Sequence, residues 1–144
     1  MEIHLSKKVI YTAKTHASGG REGSARSLDG RLDVKLARPG ASGEGTNPEQ
    51  LFAAGWSACF ISAMEVAAKA RDITLPADRA VAAEVDLFLA DGAYSLEARL
   101  DVSLPGMDLA EAEALVAVGH EICPYSNATR GNIDVTIRLV DPRS

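Results

Sequence analysis

The segment TNPEQLFAAGWSACFISAMEVAAKAR, residues 46–71, decides how the rest of the chain must fold. Asn47 can cap a helix, Pro48 suits the first helical position, and Gln50 stands three residues after the cap, as in a capping box. The helix is apolar nearly all round, which is typical of a helix at the centre of a molecule. A chain of 144 residues has little material to surround it. We therefore expect a partner chain to supply its other wall.

Strand patterns flank this helix on both sides. Residues 8–37 predict a three-stranded meander that begins with a strand over residues 9–14 and turns at Asp29-Gly30, a common hairpin dipeptide. Residues 81–90 and 94–104 predict a second hairpin, which turns at Asp91-Gly92.

The last third of the chain predicts one helix and one strand. Asp108 and Glu111 form a capping box that opens a helix through about Ile122, and Pro124 stops that helix. Residues 132–140 alternate apolar and polar side chains, as a half-buried strand does. The predicted order is βββ-α-ββ-α-β, an α+β fold with antiparallel sheets around a central buried helix.

Length and composition limit the class of protein. With 47% hydrophobic and 24% charged residues, residues 1–144 fit a single soluble domain. The net charge of −5 argues against nucleic acid as a partner. The longest apolar run, residues 51–64, is too short to span a bilayer, so no membrane association is expected. No targeting segment is visible, and we expect a cytoplasmic protein, where most thiols stay reduced.

The two cysteines are the residues most suited to chemistry. Cys59 falls near the middle of the apolar helix, and becoming a reactive thiolate there requires a nearby cation. Cys123 is expected at the C-terminal end of the second helix, where the helix dipole disfavours a thiolate. If one thiol is a nucleophile, it should be Cys59, with Cys123 as its partner; the two are 64 residues apart in sequence. A core role for Cys59 stays open.

Two longer motifs resemble a known family. TNPEQLFAAGWSACF, residues 46–60, and CPYSNATRGNIDV, residues 123–135, look like the OsmC/Ohr superfamily, and more narrowly its organic hydroperoxide resistance branch. The likeness extends to Tyr11-Thr12, to Gly19-Gly20-Arg21 and to residues 32–35, and so covers nearly the whole chain.

The resemblance implies an OsmC-like fold, an intertwined homodimer and a function. The function is thiol-dependent reduction of organic hydroperoxides to alcohols, with Cys59 as the peroxidatic thiol and Cys123 as the resolving thiol. Arg21 and Glu49 complete the implied site, and no cofactor or metal is implied. The implied reductant is dihydrolipoamide or a dihydrolipoyl group on a lipoylated protein.

Side-chain chemistry fits these roles. The guanidinium of Arg21 can stabilise a thiolate, and Glu49 can fix its direction. Glu49 and Cys59 are about 15 Å apart along an unbroken helix. We therefore expect either a bend between them or a contribution of Arg21 and Glu49 from the other subunit. The apolar neighbours of Cys59 could favour alkyl or lipid hydroperoxides; they are Phe52, Trp56, Phe60 and Met64.

Three alternatives remain at this stage. An OsmC-branch peroxidase would accept a broader range of peroxides. A non-catalytic redox sensor would use a Cys59–Cys123 disulfide to signal its state. A metal-binding or structural dimer could use His120 and Cys123, whose i, i+3 spacing fits one edge of a zinc site, although no second close pair supports it.

Overall fold

The first part of the chain forms a small antiparallel sheet in the computed structural model, which describes residues 7–140. Its strands are β1 (Thr15–Ser18), β2 (Ser24–Ser27) and β3 (Asp33–Lys35), in the order β1-β2-β3. The predicted meander is confirmed. A single 3-10 turn, Gly20–Glu22, joins β1 to β2.

The turn after β2 follows from its sequence. The Asp29 carboxylate accepts hydrogen bonds from the Ser27 hydroxyl at 2.6 Å and from the Arg31 backbone N–H at 3.0 Å. Gly30 takes a φ of +77°, which other residues rarely adopt. The predicted Asp29-Gly30 turn is therefore confirmed.

The first predicted strand is wrong in its position. Residues 7–14 form no strand, and β1 begins at Thr15. The apolar side chains of Val9, Ile10 and Tyr11 are exposed. Their β-propensity is real, but a strand also needs a neighbour to pair with, and propensity alone does not supply one.

The predicted central helix is confirmed as α1, an unbroken helix over Pro48–Ala70. One side of it is buried, and the buried residues are Trp56, Phe60, Ala63, Met64, Ala67 and Ala68. By length and composition α1 could cross a membrane, which corrects the expectation that the apolar segment is too short. In this structure its buried side packs against other elements of the same chain, as in core helices.

A second sheet follows α1, made of β4 (Ala80–Ala90), β5 (Ala93–Ser103) and β6 (Val135–Val140). β4 and β5 form the predicted hairpin, and Asp91 and Gly92 both take positive φ at its turn. β6 pairs with β5 in parallel, so the expectation of purely antiparallel sheets is wrong. Two helices separate β5 from β6, and such a connection returns the chain to the starting end of the sheet.

The helices before β6 are α2 (Leu109–Ile122) and α3 (Pro124–Thr129). Asp108 caps α2 as predicted, accepting a hydrogen bond from the Glu111 backbone N–H at 3.2 Å. The short helix α3 was not predicted. Pro124 ends α2, but it also stands at the start of α3, a position that proline favours.

One hydrophobic core holds α1 against the second sheet. Its β5 side chains are Ala98, Leu100 and Val102, and Trp56 and Phe60 of α1 belong to the same cluster. Polar side chains alternate with them on the opposite face of the sheet. There the Arg99 guanidinium donates to both carboxylate oxygens of Asp86, at 2.7 and 2.9 Å, and Arg138 pairs in the same way with Asp101.

The chain divides into two units between Pro48 and Glu49. The first contains β1, β2 and β3, and the second contains α1, the mixed sheet, α2 and α3. The single functional domain over residues 1–144 stays a prediction.

Candidate active site

The fold brings the two cysteines together. Cys59 lies near the middle of α1 and is half-buried, whereas Cys123 is completely buried. Both are free thiols, and they lie close enough for Cys123 to raise the pKa of the Cys59 thiol. The sequence placed them 64 residues apart and could not show this contact. It makes the pair a candidate redox centre.

Cys123 occupies the junction between α2 and α3. Its N–H donates to the Gly119 carbonyl at 2.9 Å, closing α2, and its own carbonyl accepts from the Asn127 N–H at 2.9 Å, opening α3. Its extended backbone, with ψ at 124°, turns the chain between the two helices. The dipole of α2 is therefore no longer a reason to exclude a Cys123 thiolate, because this residue ends one helix and begins another.

The pKa of the Cys59 thiol is raised, contrary to the expectation for an activated nucleophile. Burial is the largest cause, because it disfavours the charged thiolate. The nearby Cys123 adds to it, through its charge when ionised and through the hydrogen bond between the thiols. Among the described residues, only Tyr125 lowers the pKa of Cys59, through the hydrogen bond that its backbone N–H donates to the thiol.

Helix α3 is tied to α1 beside this pair. The Trp56 indole N–H donates to the Ser126 hydroxyl at 3.4 Å, and both residues are fully buried. The Phe52 ring meets the Trp56 and Tyr125 rings edge-on, with centroids 5.5 and 5.9 Å apart. Tyr125 was not predicted as a site residue. The sequence does place Tyr125 directly after Cys123-Pro124. Its contact with α1 could be recognised only after helix α3 had been located.

The four predicted substrate-binding residues lie at different depths. Trp56, Phe60 and Met64 have no exposed surface and belong to the core of this chain, whereas Phe52 is half-buried beside Tyr125. Their role in binding a substrate stays a prediction.

Arg21 and Glu49 lie on different units. Arg21 is a half-buried residue of the 3-10 turn, and Glu49 is a half-buried residue in the first turn of α1. Because α1 is unbroken from Pro48 to Ala70, Glu49 and Cys59 are separated by about 15 Å along its axis. The expected bend is wrong, and the contribution of Arg21 and Glu49 from another subunit stays a prediction.

A metal centre gains no support. Within residues 7–140, no group of three or more His, Cys, Asp and Glu side chains is arranged to hold a metal ion. His120 and Cys123 therefore lack the further ligands that a zinc site needs.

The amino-acid sequence is similar to that of a known protein family. Residues 41–138 match the family model described as OsmC-like protein. The organic hydroperoxide resistance protein of Xanthomonas axonopodis pv. citri is 50% identical, over 92% of this chain and 96% of its own.

Solved structures give the same result. The organic hydroperoxide resistance protein OhrB of Bacillus subtilis is 43% identical with a TM-score of 0.86, over 92% of this chain and all of its own. A Vibrio cholerae protein described as a putative organic hydroperoxide resistance protein, solved with captopril in one of its active sites, is 37% identical with a TM-score of 0.87, over 94% of this chain and 95% of its own. The chain thus belongs to the OsmC-like family, and within it to the organic hydroperoxide resistance proteins.

Proposed function

We propose that this protein protects against organic hydroperoxides as a thiol peroxidase that reduces them to alcohols. The observation that carries the proposal is the contact between the Cys59 and Cys123 thiols inside the second unit. A pair of neighbouring thiols can pass two electrons to a peroxide and store the result as a disulfide. The names of the relatives at 44–50% identity support the same substrate class.

The reaction has two steps. The Cys59 thiolate attacks the distal oxygen of the hydroperoxide, the O–O bond breaks, and the leaving alkoxide takes a proton to become the alcohol. Cys59 is left as a sulfenic acid. The Cys123 thiol then attacks the Cys59 sulfur and the hydroxyl leaves with a proton as water, which closes the Cys59–Cys123 disulfide. Two electrons have moved from the thiols to the peroxide.

Because the pKa of Cys59 is raised, a nearby positive charge is needed to form the thiolate that attacks in the first step. Arg21 is the proposed source, held in direction by Glu49, and both act from the partner subunit of an intertwined homodimer. Spacing supports this arrangement, because the unbroken helix α1 separates Glu49 from Cys59 of the same chain.

The substrate and the reductant follow from the same proposal. The apolar side chains around Cys59 favour alkyl or lipid hydroperoxides over hydrogen peroxide; they are Phe52, Trp56, Phe60 and Met64. A dihydrolipoyl group, free or on a lipoylated protein, returns the disulfide to two thiols by exchange. We place this cycle in the cytoplasm, without nucleic acid, membrane, metal or cofactor.

The test compares an alkyl hydroperoxide with hydrogen peroxide, using dihydrolipoamide as reductant. The wild-type protein should turn over many times and prefer the alkyl hydroperoxide. Cys59→Ser should consume none, because it lacks the nucleophile. Cys123→Ser should still consume about one equivalent per chain and stop at the sulfenic acid.

Two outcomes would contradict the assignment. If Cys123→Ser lost even the first equivalent, the roles of the two cysteines would be wrong. If the wild-type protein oxidised once and never turned over with dihydrolipoamide, the protein would be a redox sensor. That second candidate would use the same pair of thiols and would differ only in the absence of turnover.

A further inference from the structure

A glycine stands one helical turn before each cysteine. Gly55 precedes Cys59 on α1, and Gly119 precedes Cys123 on α2. Glycine weakens a helix interior relative to alanine, and neither residue has the positive φ that would require glycine. The reason for these glycines must therefore be sought in packing.

Gly119 lets α2 approach α1 directly. A Cβ at this position would lie 2.9 Å from Cγ of Met64 and 3.5 Å from Cε1 and Cζ of Phe60. Both side chains belong to α1 and are fully buried, so they have little room to withdraw. A methyl group at residue 119 would therefore push the end of α2 away from α1.

Such a displacement of α2 would also move the backbone of Cys123. The Gly119 carbonyl accepts the hydrogen bond from the Cys123 N–H at 2.9 Å, which couples the two backbones. The Cys123 side chain is fully buried, so it cannot easily swing to follow Cys59.

Gly55 has the corresponding role on α1. A Cβ there would lie 2.7 Å from Oη and 3.2 Å from Cζ of Tyr125, a residue of α3 whose backbone N–H donates to Cys59. Tyr125 is only half-buried, so its ring has more freedom to move than Met64 has. A methyl group at residue 55 should therefore disturb the pair less than one at residue 119.

We propose that Gly119 and Gly55 are positioning residues that set the separation of the Cys59 and Cys123 thiols, and thereby the rate at which the disulfide closes. The inference rests on the proposed function, whose second step is the attack of the Cys123 thiol on the Cys59 sulfenic acid with loss of water. A disulfide requires its two Cβ atoms to lie about 3.5–4.5 Å apart, so shifts of a few tenths of an ångström matter.

The first experiment separates the two chemical steps in Gly119→Ala. One equivalent of alkyl hydroperoxide is mixed rapidly with the reduced protein, and peroxide loss, disulfide formation and trapping of the sulfenic acid by dimedone are followed. Peroxide loss should stay within about two-fold of wild type, whereas disulfide formation should slow by about ten-fold and dimedone trapping should increase. A variant that is merely less stable would not separate the steps in this way.

Two matched variants control for helix stability and for the contact itself. Ala117→Gly changes an exposed residue of α2, weakens the same helix and should leave both steps unchanged. Gly55→Ala should slow disulfide formation less than Gly119→Ala does. Adding Tyr125→Phe to Gly55→Ala removes Oη, the atom nearest to the new Cβ, and should restore part of the lost rate.

The second experiment does not depend on peroxide. The Cys59–Cys123 disulfide is equilibrated with mixtures of reduced and oxidised dithiothreitol. The disulfide of Gly119→Ala should open at a lower ratio of reduced to oxidised dithiothreitol than that of the wild type. If the wild-type protein consumes no hydroperoxide, the proposed function fails while this equilibrium still tests the glycines. If Gly119→Ala closes its disulfide at the wild-type rate and has the wild-type equilibrium, or if both steps slow equally, the inference is overturned.

Discussion

His120 is a residue whose environment opposes its charged form. Its Nδ1 is buried and has no hydrogen-bond partner among the described residues. Burial is the largest cause that lowers its pKa below the usual value of about 6.5, and the charge of Arg130 lowers it further, while Glu121 raises it. Arg130 is held in place because it donates to the His120 carbonyl and to Asn127.

This shift predicts a loss of stability in mild acid. Below about pH 6.5 the unfolded chain protonates His120 while the folded chain resists it, so the free energy of unfolding falls as the pH drops through that window. His120→Gln should show a smaller fall between about pH 7.5 and 5.5, measured by urea unfolding. His16→Gln changes an exposed residue of β1 and should follow wild type. Equal pH dependence in all three proteins would contradict this account.

The sequence indicated which residues could carry chemistry, but it did not indicate which residues they contact. Both cysteines could be singled out from the sequence, yet their closeness in space depends on how α3 packs beside α1. The direction of the Cys59 pKa could not be predicted either. It is set mainly by burial, which depends on the whole core and not on the neighbours in sequence.

Helix α2 positions Cys123, which directly follows its last residue, Ile122. Its start depends on Asp108, whose carboxylate accepts the Glu111 backbone N–H at 3.2 Å. Asp108→Ala should lower the free energy of unfolding by about 1 kcal/mol, because that N–H loses its partner. Asp108→Asn keeps an accepting oxygen and should stay close to wild type. A urea midpoint that is the same in all three proteins would show that the cap contributes nothing.

Elements with a strong local signal were predicted well, and elements defined by distant contacts were not. Capping residues and Asp91-Gly92 act within a few positions, so the bounds of α1 and α2 and the second hairpin could be predicted. The parallel pairing of β6 with β5 joins residues far apart in sequence. The start of β1 at Thr15, and not at Val9, depends on where a pairing strand is available.

Several elements of the molecule expose large apolar side chains. Val66 on α1 is 59% exposed, and Leu89 and Tyr94 near the turn of the second hairpin are 63% and 72% exposed. We propose that a second copy covers part of this surface and supplies Arg21 and Glu49 to Cys59. The sequence suggested a partner because α1 was too apolar for one chain to cover.

A mixed dimer tests this directly. Cys59→Ser and Arg21→Ala homodimers should both be inactive with alkyl hydroperoxide. If Arg21 acts across the interface, a hybrid of the two subunits contains one intact site and should recover about half of the wild-type activity. Hybrids formed by two subunits with different affinity tags can be purified and assayed with dihydrolipoamide. An inactive hybrid would mean that Arg21 serves the cysteine of its own chain.

The place of Cys123 between α2 and α3 has a consequence for the topology of the oxidised protein. A bond from there to the middle of α1 would enclose the β4–β5 hairpin and all of α2 in one covalent ring. A protease cut at the Asp91-Gly92 tip would then leave two pieces that travel as one band until a reducing agent is added. Gels of the cut protein run with and without a reducing agent would thus show whether the two cysteines had been oxidised or reduced.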